Sequence, residues 1–285
     1  MNNATLYNKT NTLQKRDADE IMKEFSNIFE GNAKSELLDV GCGAGNVLVE
    51  IILPKINNKS LKVTGIDISK KMVKYASEKY HKSFIKFLNV DIESDFVIKK
   101  TIKGLNQNQQ ELCTETFDII TSFYCLHWVQ NQRQAISNIY KLLKPNGTCL
   151  LAFLVSNPIF DIYLNLSRMK KYATYMNDVK QFVSPYHFEK EPLEVFSKKL
   201  YDVGFNIIHI DIRDQVFIFD DIELLKHSVK AVNPFSSRMS ENLQNDFLDD
   251  YIVEVDKLNL IQFNENTFCK TVITPYKLMV AVASK

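Results

Sequence analysis

Leu37-Leu38-Asp39-Val40-Gly41-Cys42-Gly43-Ala44-Gly45 is an apolar strand that runs into an acid and then into a glycine-rich turn. Glycine at 41, 43 and 45 lets the backbone turn tightly and lets a ligand approach with no Cβ in the way. Asp39 stands two residues before the first glycine, at the carboxyl end of the strand, where open α/β sheets bind their ligands. A carboxylate there repels a pyrophosphate and attracts an ammonium group. The spacing also departs from G-x-G-x-x-G, because Asn46 holds the place of the last glycine. Many glycine-rich turns are merely loops, so the residues that follow have to give this one its meaning.

Strands and helices alternate on from the turn. A second strand, Lys62 to Ile68, carries Asp67 near its end, and Ser69 then opens a helix as far as Tyr80. A third strand, Ile85 to Val90, runs into Asp91. Strand four is Phe117 to Ser122 and strand five Cys149 to Val155, with a helix from Arg133 to Leu143 between them. A helix from Asn46 to Leu53 follows the glycine turn, and the polar stretch from Lys103 to Glu115 reads as a surface loop. This alternation predicts an α/β fold: a doubly wound, mostly parallel, seven-stranded Rossmann-like sheet.

Upstream, Ile21, Phe25, Ile28 and Phe29 recur at helical spacing, so residues 17–29 read as an amphipathic helix and the polar residues before them as an arm. Downstream of Phe153 the alternation weakens. Residues 157–200 and 220–262 read as helical cap segments, with closing strands at 206–212 and 276–284. The whole chain, 1–285, therefore reads as one domain, with a lid at 1–30 and a cofactor-binding half at 31–156.

Composition narrows the partners. Hydrophobic residues make up 45% and charged residues 24%, the balance of a globular protein with ample core. A net charge of +1 gives no field to draw nucleic acid. The cysteines at 42, 113, 125, 149 and 269 show no paired spacing, which suits free thiols in a reducing compartment. No His/Cys cluster resembles a metal site. The N-terminus lacks a signal-peptide core and no apolar run approaches the ~20 residues of a membrane span, so a cytoplasmic protein is expected. Oligomeric state stays open, a homodimer included.

Three acids at three successive strand ends are more specific than one glycine turn. A carboxylate at Asp67, beside Ile68, can accept from both hydroxyls of a ribose. Asp67 could instead cap the next helix, but Ser69 is placed to do that. Asp91 can accept from an adenine amino group while Ile92 and its apolar neighbours hold the ring. With Asp39 facing a cationic end, the three describe a pocket for an adenosyl ligand whose other end is zwitterionic. A nicotinamide enzyme would also place an acid after strand two, but it would not want Asp39 beside its phosphates.

Just past strand four comes Thr121-Ser122-Phe123-Tyr124-Cys125-Leu126-His127-Trp128-Val129. Ser122 and Phe123 fall at the cofactor edge. The stretch is not an Asp/Asn-Pro-Pro-Tyr sequence, which would suit an amino acceptor. It offers instead a histidine and the single tryptophan of the chain, one N–H donor on a large apolar ring.

The glycine turn and its acids resemble the first motifs of class I S-adenosylmethionine-dependent methyltransferases. A closer likeness runs through Asn2 to Tyr7, Leu13 to Ala18, Ser122 to Asn131, Phe182 to His187, Asn233-Pro234-Phe235 and Phe247 to Ile252. These segments resemble insect juvenile hormone acid methyltransferases over nearly the whole chain. The resemblance implies methylation, by S-adenosylmethionine, of the carboxylate of farnesoic acid or juvenile hormone acid. It also implies that Gln14 and Trp128 hold the carboxylate; His127, whose ring can donate or accept, joins them as a catalytic candidate by its place beside Trp128. A small apolar acid is the implied partner, and an ionised carboxylate needs no strong general base. Neutral donors suit it, because Arg or Lys would over-stabilise the ground state. The apolar chain needs a greasy slot, for which Tyr124, Phe153, Phe160, Tyr175 and Met176 are candidates, along with Phe123, Tyr163, Tyr172 and Phe235. The alternatives are a fatty or other small acid as acceptor, or an adenosyl-binding protein without catalysis.

Overall fold

The computed structural model describes residues 4–29, 35–56, 58, 60–94, 112–264 and 269–285. Asn2, Asn3 and the expected polar loop as far as residue 111 lie outside them. Five parallel strands form the frame: β1 (Glu36–Val40), β2 (Lys62–Asp67), β3 (Ile85–Asn89), β4 (Phe117–Phe123) and β5 (Leu143–Ser156). β6 (Asn206–Phe219), β7 (Ile261–Asn264) and β8 (Cys269–Ser284) are the later strands. The spatial order is β3-β2-β1-β4-β5-β8-β6, with β8 antiparallel to β5 and to β6. The order reverses beside β1, so the crevice beyond the ends of β1 and β4 is where such a sheet binds ligands.

The sheet has eight strands rather than seven, because β7 pairs with the outer end of β8. Both closing strands also run further than their sequence suggests. Past Lys277, β8 leaves β5 and keeps β6 as its neighbour, where a proline at 275 is tolerated. The two strands thus project as a ribbon that carries Phe219, Val272 and Thr274 toward the ligand side.

Strand alternation sorts the core into two faces. Leu150, Ala152 and Leu154 of β5 pack with Leu278, Val280 and Val282 of β8 on one face. Leu151, Phe153 and Val155 pack with Met279, Ala281 and Ala283 on the other. The first face is covered by α2 (Thr12–Glu24) through Ala18, Ile21 and Met22. The second is covered by α4 (Gln132–Leu142) and α6 (Pro192–Val203). α6 was expected in the cap, yet Phe196 and Leu200 seat it on the sheet.

Three later helices build the roof. α5 (Pro158–Ser167), α7 (Ile222–Val232) and α8 (Glu241–Lys257) enclose a core of Tyr163, Tyr172, Phe235, Phe247 and Tyr251. The N-terminus is helical rather than an arm: α1 (Ala4–Thr10) precedes α2, and the expected helix at 17–29 starts earlier and closes in a 3₁₀ turn. The break between them falls at Asn11, whose buried amide exchanges two hydrogen bonds with Asn46, at 3.0 and 2.8 Å. That pairing gives a reason for asparagine at 46. The segment after it coils as a π-type turn (Leu48–Ile52) instead of a regular helix. Ser69 caps α3 (Lys70–Lys79) by accepting from the Met72 N–H.

Candidate functional site

The glycine turn wraps the end of β1. Gly41, Gly43 and Gly45 all hold positive φ, and a Cβ on Gly41 would overlap the Cys125 side chain. The Gly43 N–H donates to one oxygen of Asp67 at 3.0 Å, and the Ser69 N–H donates to the other at 2.8 Å. Asp67 therefore ties the turn to the start of α3 while its carboxylate lines a cavity of about 310 Å³. Burial raises its pKa, and the two backbone donors oppose that.

Gly41, Asp67, Ile68, Asp91 and Ile92 line this first cavity together, and Glu93, Cys125, Val129 and Gln130 extend it. Ile68 is 67% exposed, an apolar side chain left free at a concave rim, as a plate for a flat ring would be. Each Asp67 oxygen keeps a second lone pair for a ribose hydroxyl. Asp91 accepts from the Glu93 N–H at 3.0 Å and keeps its other oxygen. These features fit an adenosyl ligand.

Not every expected cofactor residue reaches this wall. Asp39 lies behind the turn, buried, and accepts from the Thr121 hydroxyl at 2.8 Å. Burial pushes its pKa up to about 7, with Asp67 adding to the rise and Thr121 opposing it. Gly43 and Gly45 shape the turn from beneath: Gly45 packs against Ala76, Phe87 and Tyr80. Ser122 points inward and donates to the Val40 carbonyl at 3.0 Å, and Phe123 belongs to the sheet core. Cys125, two and three residues further on, takes the place on the wall expected of them.

A second, narrower cavity of about 90 Å³ lies on the other side of Tyr124 and Trp128. Tyr124, Trp128 and Val232 line both, so the two cavities share a wall. The second is lined by Gln14 and Tyr7 from the N-terminal helices, His127 from the 3₁₀ turn Leu126–Trp128, and apolar side chains from the roof and the β6–β8 ribbon. The Gln14 side-chain oxygen is buried without a hydrogen-bond partner there. A 180° rotation of that amide would present its N–H₂ to the slot instead.

His127 is buried and faces Tyr124, Trp128 and Phe160. Burial pulls its pKa down to about 3, so it is neutral near pH 7. The Leu154 N–H donates to Nδ1 at 3.4 Å, which leaves the proton on Nε2. Gln132 fixes the turn that carries His127 and Trp128 by donating to the carbonyls of Leu126 and Val129, at 2.6 and 2.7 Å.

The acceptor-side expectations divide. Gln14, Tyr124, His127 and Trp128 meet in one slot, and Phe160 supports the Trp128 ring edge-on at 6.0 Å. Phe153 is on the opposite face of the sheet, against Tyr186 and Phe196, because its even-numbered neighbours Ala152 and Leu154 take the slot face. Tyr175 and Met176 lie in the roof core instead of the slot. Tyr7, Ser228, Val232, Tyr251 and Thr274 were missed, since their approach depends on how the roof closes. Asp17 carried one legible signal, an acid one residue from Ala18 on the apolar face of α2.

The fold and this pair of cavities define an S-adenosylmethionine-dependent methyltransferase. Residues 32–187 match a family model described as a methyltransferase domain. At 43% identity the chain resembles juvenile hormone acid O-methyltransferase of Drosophila melanogaster, across 100% of this chain and 93% of that protein. The Bombyx mori protein of the same name is 36% identical, across 100% and 98%. The chain belongs to the juvenile hormone acid O-methyltransferase family. Among solved structures, Haemonchus contortus phosphoethanolamine N-methyltransferase 2 in complex with S-adenosyl-L-methionine shares the fold. The TM-score is 0.52 at 15% identity, over 94% of this chain and 52% of that one. Among the described residues no acid, His or Cys cluster could hold a metal, and no helix is long and apolar enough to cross a membrane.

Proposed function

We propose that the chain methylates the carboxylate of a long apolar acid of sesquiterpenoid type, such as farnesoic acid or juvenile hormone acid. The observation that carries this is the Gln14 side-chain oxygen, buried without a hydrogen-bond partner in an apolar slot that shares Tyr124, Trp128 and Val232 with the cofactor cavity. The names of the Drosophila and Bombyx relatives support the same substrate class.

S-adenosylmethionine supplies an electrophilic methyl group on a sulfonium. Asp67 and Asp91 hold the adenosine end, and Asp39 adds negative charge behind the turn toward the amino acid end. Gln14 and the Trp128 indole N–H anchor the acceptor carboxylate with neutral donors, so one oxygen stays free to attack. His127, neutral, adds an N–H and takes no proton, because the carboxylate is already ionised. Tyr7, Leu13, Ile159 and Val229 exclude water and surround the hydrocarbon chain. The chain acts as a single domain whose roof and N-terminal helices close over the slot. The free cysteines at 42, 113, 125 and 149 support residence in the cytoplasm.

Mass spectrometry of products from S-adenosylmethionine with farnesoic, epoxy-farnesoic and straight-chain fatty acids tests the proposal. Methyl esters of the terpenoid acids are expected. Esters of the fatty acids alone would move the substrate class, and binding without any ester would leave only the adenosyl site.

A further inference from the structure

Asp17 is a buried carboxylate, 2% exposed, that the slot chemistry above does not use. One of its oxygens accepts from two phenols, Tyr124 at 2.5 Å and Tyr276 at 2.6 Å. The other accepts from the Arg16 guanidinium twice, at 3.0 and 2.9 Å. Arg16 in turn donates to the Tyr276 hydroxyl at 2.6 Å and to the Val216 carbonyl at 2.9 Å. One carboxylate thus joins α2 to the end of β4, to β8 and, through Arg16, to β6.

Two features give that junction a consequence for transfer. Tyr124 adopts φ +56° and lines both cavities, so its ring stands where cofactor and acceptor meet. A bulky residue holds such a backbone only when its surroundings enforce it. Asp17 also lies three residues after Gln14 on α2, one helical turn along the same face. The rotation of α2 about its axis sets where the Gln14 amide points, and Asp17 adds a polar tie to the sheet beside the apolar contacts of Ala18, Ile21 and Met22.

From these contacts we infer that Asp17 is a positioning residue for methyl transfer, acting through Gln14 and Tyr124 together. It touches neither cofactor nor acceptor. The inference rests on the acceptor role of Gln14 proposed above.

The test is a double-mutant cycle between Gln14→Ala and Asp17→Asn in the full-length chain, with farnesoic acid and S-adenosylmethionine. Asp17→Asn keeps the volume but meets the Arg16 donors or the phenols with an N–H₂. In the parent chain Gln14→Ala lowers kcat. In the Asp17→Asn background its penalty is expected to be smaller by roughly tenfold, the coupling of neighbouring residues linked through one helical turn. Equal penalties in the two backgrounds overturn the inference. If Gln14→Ala has no penalty even in the parent, the acceptor role of Gln14 is lost. The emission of Trp128, the single tryptophan, then decides on Asp17 alone. A red shift in Asp17→Asn is expected as the slot wall loosens, and an unshifted spectrum overturns the positioning role. Should Asp17→Asn fail to fold, Tyr124→Phe, which keeps the ring and removes its hydroxyl, takes its place in both measurements with the same two outcomes.

Discussion

The cofactor cavity takes its acids from residues 67 to 93, where consecutive parallel strands end, whereas the acceptor slot takes its wall from residues 7 to 274. Backbone holds the first: Gly43 and Ser69 N–H groups fix Asp67, and the Glu93 N–H fixes Asp91. Side chains hold the second, through Gln132 under the His127–Trp128 turn and the Asn11–Asn46 exchange at the base of the lid. Damage to the first region should therefore appear as lost folding or cofactor affinity. In the second it should appear as lost turnover with the cofactor still bound.

Gly41→Ala strikes the first region hardest. It demands a Cβ where Cys125 sits and a positive φ that alanine resists, so a loss of about 3 kcal/mol in stability is expected, read from chemical denaturation. Next comes Asp67→Ala, which strands two backbone donors and the ribose. Calorimetry should show S-adenosylmethionine binding weakened by roughly 2–3 kcal/mol, and an unchanged affinity would break the comparison.

On the acceptor side, Gln14→Ala and Trp128→Phe should each reduce kcat by about tenfold or more, as for a lost hydrogen bond to a charged group, with cofactor affinity within twofold. Rates equal to the parent in both would empty the slot of its polar anchors.

Smaller effects follow from pH. Burial pushes Asp39 up to about 7, so part of the population carries a proton near neutrality. A cation bound nearby favours the ionised form, and that proton leaves on binding. Cofactor affinity should then rise with pH up to about 7 and level off above, by at most ~tenfold per pH unit, and Asp39→Asn should flatten the curve. The smallest effect concerns His127. Held near 3, it contributes no inflection to kcat between pH 6 and 8, and a break in that profile removed by His127→Gln would contradict the neutral role. Its signature belongs to stability instead. Below about 6.5 the unfolded chain binds the proton that the folded chain refuses, so stability declines as pH falls toward 3.

The same contrast separates what could be read in the chain from what could not. The strand-end acids Asp67 and Asp91, the Gly41 turn and the parallel frame were legible, because strand, turn and cap chemistry act over a few residues. Asp39 was read at the right strand end yet lies behind the turn, since the two faces of a strand end are one residue apart. Phe153 failed for the same reason: period two sends it to the opposite face from Leu154. Tyr175 and Met176 failed because helical spacing marks a buried face without saying which cavity, if any, that face meets.

By itself, the sequence determined the glycine turn with its strand-end acids, the alternating frame that presents them and, through resemblance, the family. Tertiary structure decided which side chains form the acceptor wall and that a buried carboxylate at Asp17 ties Tyr124 to the helix of Gln14. The reason is range. A glycine turn and a cap satisfy their own backbone within a few residues, but a slot exists only where segments distant in the chain close on one another.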